Sequence, residues 1–138
     1  MLQVFLKNSL NNIIKIMRVF INGGTGFIGS HLINEIHSRN FEIISIKRKF
    51  SKTRIPLNKE PKWIFDSDKN ELFNAMKKCN FYINCAAVGV SPQAANWEEA
   101  INYNINISFS LLDLAKKAGI RDYIFLGSET EISPRDNF

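Results

Sequence analysis

Four glycines between two apolar segments constrain the fold of this chain more than any other feature of its sequence. They lie in VFINGGTGFIGSHL, residues 19–32, after a β-branched and aromatic run and before a helical apolar pattern. Gly23, Gly26 and Gly29 are spaced G-x-x-G-x-x-G, and Gly24 adds a further position without a side chain. Between a strand and a helix, such glycines permit a tight turn, close approach to a pyrophosphate and close helix packing. We therefore predict a dinucleotide-binding turn, with a structural turn that binds no ligand as the alternative.

Strand-like and helix-like patterns alternate from residue 17 onward. Continuous apolar runs such as EIISI are typical of strands covered on both faces, and apolar residues at helical spacing predict the intervening helices. The alternation predicts one α/β domain with a doubly wound parallel sheet of about five strands. The predicted strands are Arg18–Asn22, 42–46, 63–65, 81–85 and 123–126, and the predicted helices are 29–39, 70–78 and 97–118.

Composition excludes several other classes of protein. The chain has 138 residues, of which 45% are hydrophobic and 22% are charged, as is ordinary for a globular domain. No apolar run approaches the roughly 20 residues that span a bilayer, so no membrane partner is predicted. The spacing of Cys79 and Cys85 does not match a metal site, and we predict no metal and two reduced thiols in a cytoplasmic protein. Residues 1–16 are predicted to be a peripheral extension, with Met17 as the natural start and the domain in 17–138.

A basic cluster follows the second predicted strand. The net charge is +5, and five cations lie within eight residues: Lys47, Arg48, Lys49, Lys52 and Arg54. A solvated loop, a small anionic ligand and a nucleic acid are the alternatives. Aromatic residues do not alternate with these charges, apart from Phe50, so we predict no nucleic-acid partner.

The end of the second strand also bears on cofactor choice. NAD-binding folds place an acidic residue there, about 20 residues after the glycines, to bind the ribose 2′-hydroxyl. This chain has Lys47 and Arg48 instead, which would attract a 2′-phosphate. We predict NADP as the preferred cofactor, with NAD possible.

Ligands of open α/β sheets bind at the carboxyl ends of the strands. We therefore expect the cofactor to contact the residues that follow each of the first four strands. These are Gly23, Gly26, Phe27, Ile28 and Gly29, then Lys47 and Arg48, then Asp66 and Ser67, and then Cys85, Ala86 and Ala87.

Taken together, these segments resemble the extended short-chain dehydrogenase/reductase family, the NAD-dependent epimerase/dehydratase group that acts on nucleotide sugars. INGGTGFIGSHL resembles the family's T-G-x-x-G-x-x-G opening, with Asn22 where threonine is usual, and YINCAAVGV resembles its fourth strand, with Asn84 where histidine is common. The resemblance covers residues 17 to about 133 and implies a Rossmann domain. It also implies that Asp66 contacts adenine, that Asn104 contacts the cofactor and that Ser128 is the catalytic serine.

The family's Tyr-x-x-x-Lys motif, whose tyrosine is the general acid/base, is absent from these 138 residues. Neither Tyr82, Tyr103 nor Tyr123 has a lysine four residues on, and His31 and His37 are not placed to reach Ser128. We therefore expect the N-terminal, cofactor-binding part of a nucleotide-sugar epimerase, dehydratase or reductase, truncated at its C-terminus and catalytically incomplete as this chain. The alternative is a non-catalytic NADP(H)-binding or sensor module that pairs with another chain.

The longest predicted helix, 97–118, resembles one that packs in the family's dimer interface, and the resemblance implies a homodimer through this helix. Gly119 is predicted to end the helix. Its predicted apolar stripe is Ile101, Ile105, Phe109, Leu112 and Ala115.

Overall fold

A computed structural model describes residues 16–65, 68–89 and 96–127. Within these ranges the strands form one parallel sheet in the order β3-β2-β1-β4-β5, which confirms the predicted doubly wound fold. The strands are β1 (Arg18–Asn22), β2 (Glu42–Lys47), β3 (Lys62–Phe65), β4 (Phe81–Asn84) and β5 (Asp122–Phe125). The helices are α1 (Phe27–Ser38), α2 (Lys69–Met76), α3 (Trp97–Ala100) and α4 (Ser108–Lys117), with a π-helical segment (Ile101–Ile107) between α3 and α4.

The sheet is covered on both faces because successive side chains of its central strands enter different cores. Phe20 and Tyr82 belong to one core, which the buried faces of α2 and α4 complete. Val19 and Ile21, one residue to either side of Phe20, belong to the other core with Ile33 of α1. Burial on both faces explains why the strand sequences are continuously apolar rather than alternating.

The strand order changes direction at β1. This strand pairs with β2 on one side and with β4 on the other, and Asn22 at its end is in register with Asn84. In open α/β sheets the crevice beyond such a switch point is where ligands bind. The carboxyl ends of β1 and β4 therefore position the candidate site.

The long helix, residues 97–117, departs from the prediction. The predicted inward stripe is wrong for Ile101, Ile105 and Phe109, whose exposed fractions are 49%, 49% and 68%. The π-helical segment has i→i+5 hydrogen bonds and winds more slowly than an α-helix, so a face extrapolated at 3.6 residues per turn loses its phase at Ile101 and Ile105. Phe109 lies in the regular helix α4, outside the face that this helix buries. The buried residues of α4 are Ser108, Leu111 and Ala115, and Leu112 is partly buried.

The remaining boundaries follow local signals. Asp68 begins α2 by accepting hydrogen bonds from the backbone N–H groups of Asn70 and Glu71. Gly119, at φ +92°, follows the end of α4 as predicted.

Within the described ranges, no helix combines the length and apolarity needed to cross a membrane. Apart from the exposed Ile16, the predicted extension 1–16 lies outside the described residues.

Candidate cofactor-binding site

The glycine turn connects β1 to α1 and has no room for a side chain at Gly23, Gly24 or Gly29. Gly23 has φ +83°, and a Cβ built on it would lie 2.5 Å from the backbone nitrogen of Ala86. A Cβ on Gly29 would lie 2.1 Å from the carbonyl oxygen of Gly23. The predicted tight turn and the predicted close packing of the helix are therefore confirmed.

The first turn of α1 faces the crevice with uncapped backbone. Gly26 is the N-cap residue and has no side chain to accept a hydrogen bond from the N–H groups that follow it. A helix start without a side-chain cap is suited to bind an anion, since the N–H groups and the helix dipole favour negative charge. Phe27 and Ile28 are exposed beside this position, and the Phe27 ring packs edge-on against His31. That they contact the cofactor stays a prediction.

Ser45 of β2 packs against the glycine turn, a contact that the sequence did not predict. Its hydroxyl is buried and donates a hydrogen bond of 2.9 Å to the carbonyl of Ile21. A Cβ on Gly24 would lie 2.3 Å from this hydroxyl oxygen. Ser45 is the one small side chain in the apolar run EIISI. Its contact with the turn depends on the strand register, which places Ser45 beside Ile21.

The two departures from the family pattern are hydrogen-bonded to each other. The amide of Asn22 donates to the side-chain oxygen of Asn84 at 2.9 Å, and that oxygen also accepts from the backbone of Ala86. The Asn84 amide donates to the hydroxyl of Ser108 at 3.1 Å, and this hydroxyl donates to the carbonyl of Tyr103. This buried network connects β1, the segment after β4 and the long helix.

The segment after β4, residues 85–89, is held by a second pair of bonds. The side-chain oxygen of Asn104 accepts from the backbone N–H of Val88 at 2.9 Å, and its amide donates to the Val88 carbonyl at 3.0 Å. Asn104 therefore positions this segment through its backbone. Its predicted contact with the cofactor stays a prediction, as do those of Cys85, Ala86 and Ala87.

An open cleft of about 490 Å³ lies beside the glycine turn, and we call it the basic cleft. The Lys47 ammonium lies 4.8 Å from the centre of the Trp63 ring, so this cation already contacts an aromatic face. Arg48 is exposed, and it is not among the described residues that line the cleft. The lining includes Thr25, Lys47, Lys52, Arg54, Glu60 and Trp63.

Both cysteines are free and partly buried, which agrees with the predicted thiols. Burial raises the pKa of Cys79 to about 12 and that of Cys85 to about 11, so both are protonated at neutral pH. Burial, with Lys59 nearby, lowers the pKa of His37. Three predicted site residues lie outside the described ranges: Asp66, Ser67 and Ser128.

Known proteins match this chain along most of its length. Residues 19–137 match the model of the NAD dependent epimerase/dehydratase family. Sterol-4-alpha-carboxylate 3-dehydrogenase, decarboxylating, from Dictyostelium discoideum is 24% identical over 86% of this chain and 38% of its own. UDP-glucuronic acid decarboxylase 1 from Arabidopsis thaliana is 27% identical over 89% of this chain and 29% of its own.

Solved structures share the fold. UDP-glucose-4-epimerase from Stenotrophomonas maltophila, with bound NAD and formylated UDP-arabinopyranose, matches with a TM-score of 0.72 at 21% identity. The match covers 87% of this chain and 39% of that one. The chain thus spans well under half the length of each of these proteins. Since the family model covers the glycine turn, the segment after β4 and the long helix, the chain belongs to the NAD-dependent epimerase/dehydratase family.

Proposed function

We propose that this chain binds NADP(H), and NAD(H) more weakly, as the cofactor-binding part of an enzyme that acts on nucleotide sugars. The glycine turn carries the proposal, because its glycines present backbone without side chains directly before α1, whose N-cap residue Gly26 has no side-chain cap. The NAD and UDP-sugar bound to the S. maltophila epimerase support a dinucleotide and a nucleotide sugar as ligands. The cations of the basic cleft favour a cofactor with an added phosphate.

The proposed roles follow the strand ends. The glycine turn and the start of α1 bind the pyrophosphate, Asp66 and Ser67 contact the adenosine, and residues 85–89 lie against the rest of the dinucleotide. A bound nicotinamide would supply hydride transfer at a sugar carbon. Ser128 donates a hydrogen bond to the substrate oxygen, but a serine hydroxyl needs a neighbouring base to transfer protons. We therefore propose that these 138 residues bind cofactor without turning over a sugar nucleotide.

Trp63 offers a direct test of cofactor binding because it lines the basic cleft. The substitution Trp97→Phe leaves Trp63 as the single tryptophan of the chain. Titration of this variant should quench Trp63 fluorescence with both nucleotides and give a lower Kd for NADPH than for NADH. Tighter binding of NADH would contradict the charge argument, and binding of neither would contradict the proposed function. Turnover of UDP-glucose by this chain alone would contradict its catalytic incompleteness.

We also propose that a second copy of the chain covers the exposed apolar face of the long helix. Trp97, Ile101, Ile105 and Phe109 recur every four residues, and each is about half exposed or more. Sedimentation velocity should detect a dimer that Ile105→Asp dissociates. Asn106→Asp adds the same charge at an exposed neighbouring position and should leave the dimer intact. A monomeric unmodified protein would contradict this proposal.

A cytoplasmic location is proposed as well. Two free thiols are typical of a reducing compartment, where disulfides are rare. Fractionation of the source cells with an antibody against the chain should place it with soluble cytoplasmic markers.

A further inference from the structure

The two halves of the long helix differ in how firmly they are attached to the domain. None of residues 97–107, all of which lie within the described ranges, is buried, whereas α4 buries Leu111 and Ala115 in the core. Ile107 is partly buried and packs against the same core. Segments with few buried apolar contacts open locally at a low cost in free energy. Residues 97–107 are therefore the part of this helix that is easiest to disorder.

These weakly attached residues hold the segment that follows β4. The side-chain oxygen of Asn104 accepts a hydrogen bond from the Val88 N–H at 2.9 Å, and its amide donates to the Val88 carbonyl at 3.0 Å. A Cβ built on Gly89 would lie 3.6 Å from the Cβ of Ala100, so the end of α3 lies against the same segment. The order of residues 85–89 therefore depends on a helix that is itself easily disordered.

A second connection to this segment is anchored in the core. The Asn84 amide donates to the Ser108 hydroxyl at 3.1 Å, and the Asn84 side-chain oxygen accepts from the Ala86 N–H at 3.2 Å. Asn84 and Ser108 are both buried, unlike Asn104. Local opening of the helix before α4 would therefore break the bonds between Asn104 and Val88 and leave Ser108 in place.

The same residues carry the apolar face that we propose to pair with a second copy. Ile101, Asn104 and Ile105 lie within one turn of the π-helical segment, and both isoleucines are about half exposed. Covering these isoleucines with a second copy would remove apolar surface from water only while residues 97–107 are helical. Pairing should therefore stabilise the helical form, in which Asn104 binds Val88.

We propose that cofactor binding and pairing of two copies favour each other, and that Asn104 connects the two events. This inference rests on the proposed function, since it requires the dinucleotide to lie against residues 85–89. Pairing keeps residues 97–107 helical and so keeps Asn104 on the backbone of Val88. The cofactor then binds a segment that is already ordered, and less entropy is lost on binding. Because coupling of binding events is reciprocal, the bound cofactor favours pairing by the same means.

The unmodified protein tests the coupling in both directions. The NADPH Kd, measured by NADPH fluorescence, should be at least roughly threefold lower where the dimer dominates than in the dilute monomer, in which fewer chains have the helix formed. A dimer has two cofactor sites, so saturation with NADPH should lower the dimer dissociation constant by the square of this factor, roughly ninefold. Sedimentation velocity with and without NADPH measures the second quantity.

Asn104→Ala and Asn106→Ala are a matched pair, because each removes an asparagine side chain from an exposed position of the π-helical segment. In Asn104→Ala, monomer and dimer should bind NADPH equally, and NADPH should no longer change the dimer dissociation constant. Loss of a direct contact between Asn104 and the cofactor would weaken NADPH binding without changing the ratio of the two Kd values. Asn106→Ala should retain the full coupling.

Hydrogen exchange measures the order of the helix directly. In the Ile105→Asp variant, which we expect to be monomeric, NADPH should slow exchange of the backbone N–H groups of residues 97–107 roughly threefold or more. Adding Asn104→Ala to this variant should remove the protection, whereas adding Asn106→Ala should not.

The results separate this inference from the proposals on which it rests. Equal NADPH affinity of monomer and dimer, or weaker pairing in the presence of NADPH, would overturn the inference and leave cofactor binding and the dimer in place. Coupling that survives Asn104→Ala, or that Asn106→Ala also abolishes, would overturn the role of Asn104. A protein that binds NADPH but stays monomeric at every concentration would overturn the inference together with the dimer. A protein that does not bind NADPH would overturn it together with the proposed function.

Discussion

The two ends of β1 are built by different means. At the amino end, side chains connect neighbouring strands: the Arg18 guanidinium donates to Glu42 and to the carbonyl of Lys78, and the Arg18 backbone N–H donates to Asn80. At the carboxyl end, the chain continues into the glycine turn, where close backbone contacts replace side chains. The two ends are four residues apart in one strand.

Only the carboxyl end of β1 adjoins the candidate site. Side-chain bonds at the amino end connect β1 to β2 and to the residues before β4, and they do not approach the candidate site. At the carboxyl end, the glycines leave backbone N–H groups accessible to a ligand. Their backbones also pack closely against one another, so this turn tolerates few added atoms. Substitutions at the amino end should therefore affect stability alone, whereas substitutions at the carboxyl end should affect stability, cofactor binding or both.

The largest expected effect is that of Gly29→Ala. Its Cβ would lie 2.1 Å from the Gly23 carbonyl oxygen and 2.9 Å from the Gly24 Cα, and backbone atoms cannot move away as a flexible side chain could. We expect a loss of about 3 kcal/mol in the free energy of unfolding, near the upper end for overpacking, measured by urea denaturation.

Gly26→Ala is the matched control within the same turn. Its Cβ would meet only the Gly23 carbonyl oxygen, at 3.2 Å, so stability should fall by under about 1 kcal/mol. Its methyl group would occupy the approach of the pyrophosphate, so NADPH affinity should nevertheless fall at least tenfold. If Gly29→Ala and Gly26→Ala destabilised the protein equally, then Gly29 would not differ from Gly26 in its importance for packing.

At the amino end, Arg18→Met should have a smaller effect on stability and none on binding. It removes charged hydrogen bonds of a partly buried guanidinium, which should cost about 1 to 3 kcal/mol in urea denaturation. Arg39→Met breaks an exposed ion pair with Glu35 on α1 and should cost under about 1 kcal/mol. A change in the NADPH Kd of folded Arg18→Met protein would show that the two ends are not independent.

The sheet and the glycine turn were predictable because their signals are local and strong. A strand, a glycine turn and a helix follow one another in sequence, and continuous apolar runs distinguish strands buried on both faces. Strand order and register depend on contacts between distant residues. The pairing of Asn22 with Asn84 and the contact of Ser45 with Gly24 therefore emerged only from the structure.

The long helix and the basic cluster show two further limits. A helical period assumes constant winding, and the π-helical segment breaks that assumption between Ile101 and Ile107. Counting residues from Gly29 led to Lys47, which lines the cleft, but it did not indicate that Lys52 and Arg54 also line it, next to the hydrogen bond between Arg54 and Thr25. A hydrogen bond between backbone groups distant in sequence leaves no compositional signal.

The smallest expected effect concerns the two thiols. Cys79 precedes β4 near the amino end of β1, and Cys85 follows β4 near the carboxyl end of β1, so each thiol reports on one end of β1. Burial raises the pKa of Cys79 to about 12 and of Cys85 to about 11, and each pH unit below the pKa lowers the reactive thiolate about tenfold. Iodoacetamide labelling of Cys85 in Cys79→Ala and of Cys79 in Cys85→Ala should therefore be slow at pH 8 and accelerate as the pH rises. Bound NADPH should slow labelling of Cys85 alone, because this thiol follows β4 beside the glycine turn. Equal protection of Cys79 would mean that cofactor binding stabilises the whole sheet, so that the amino end of β1 also responds to the ligand.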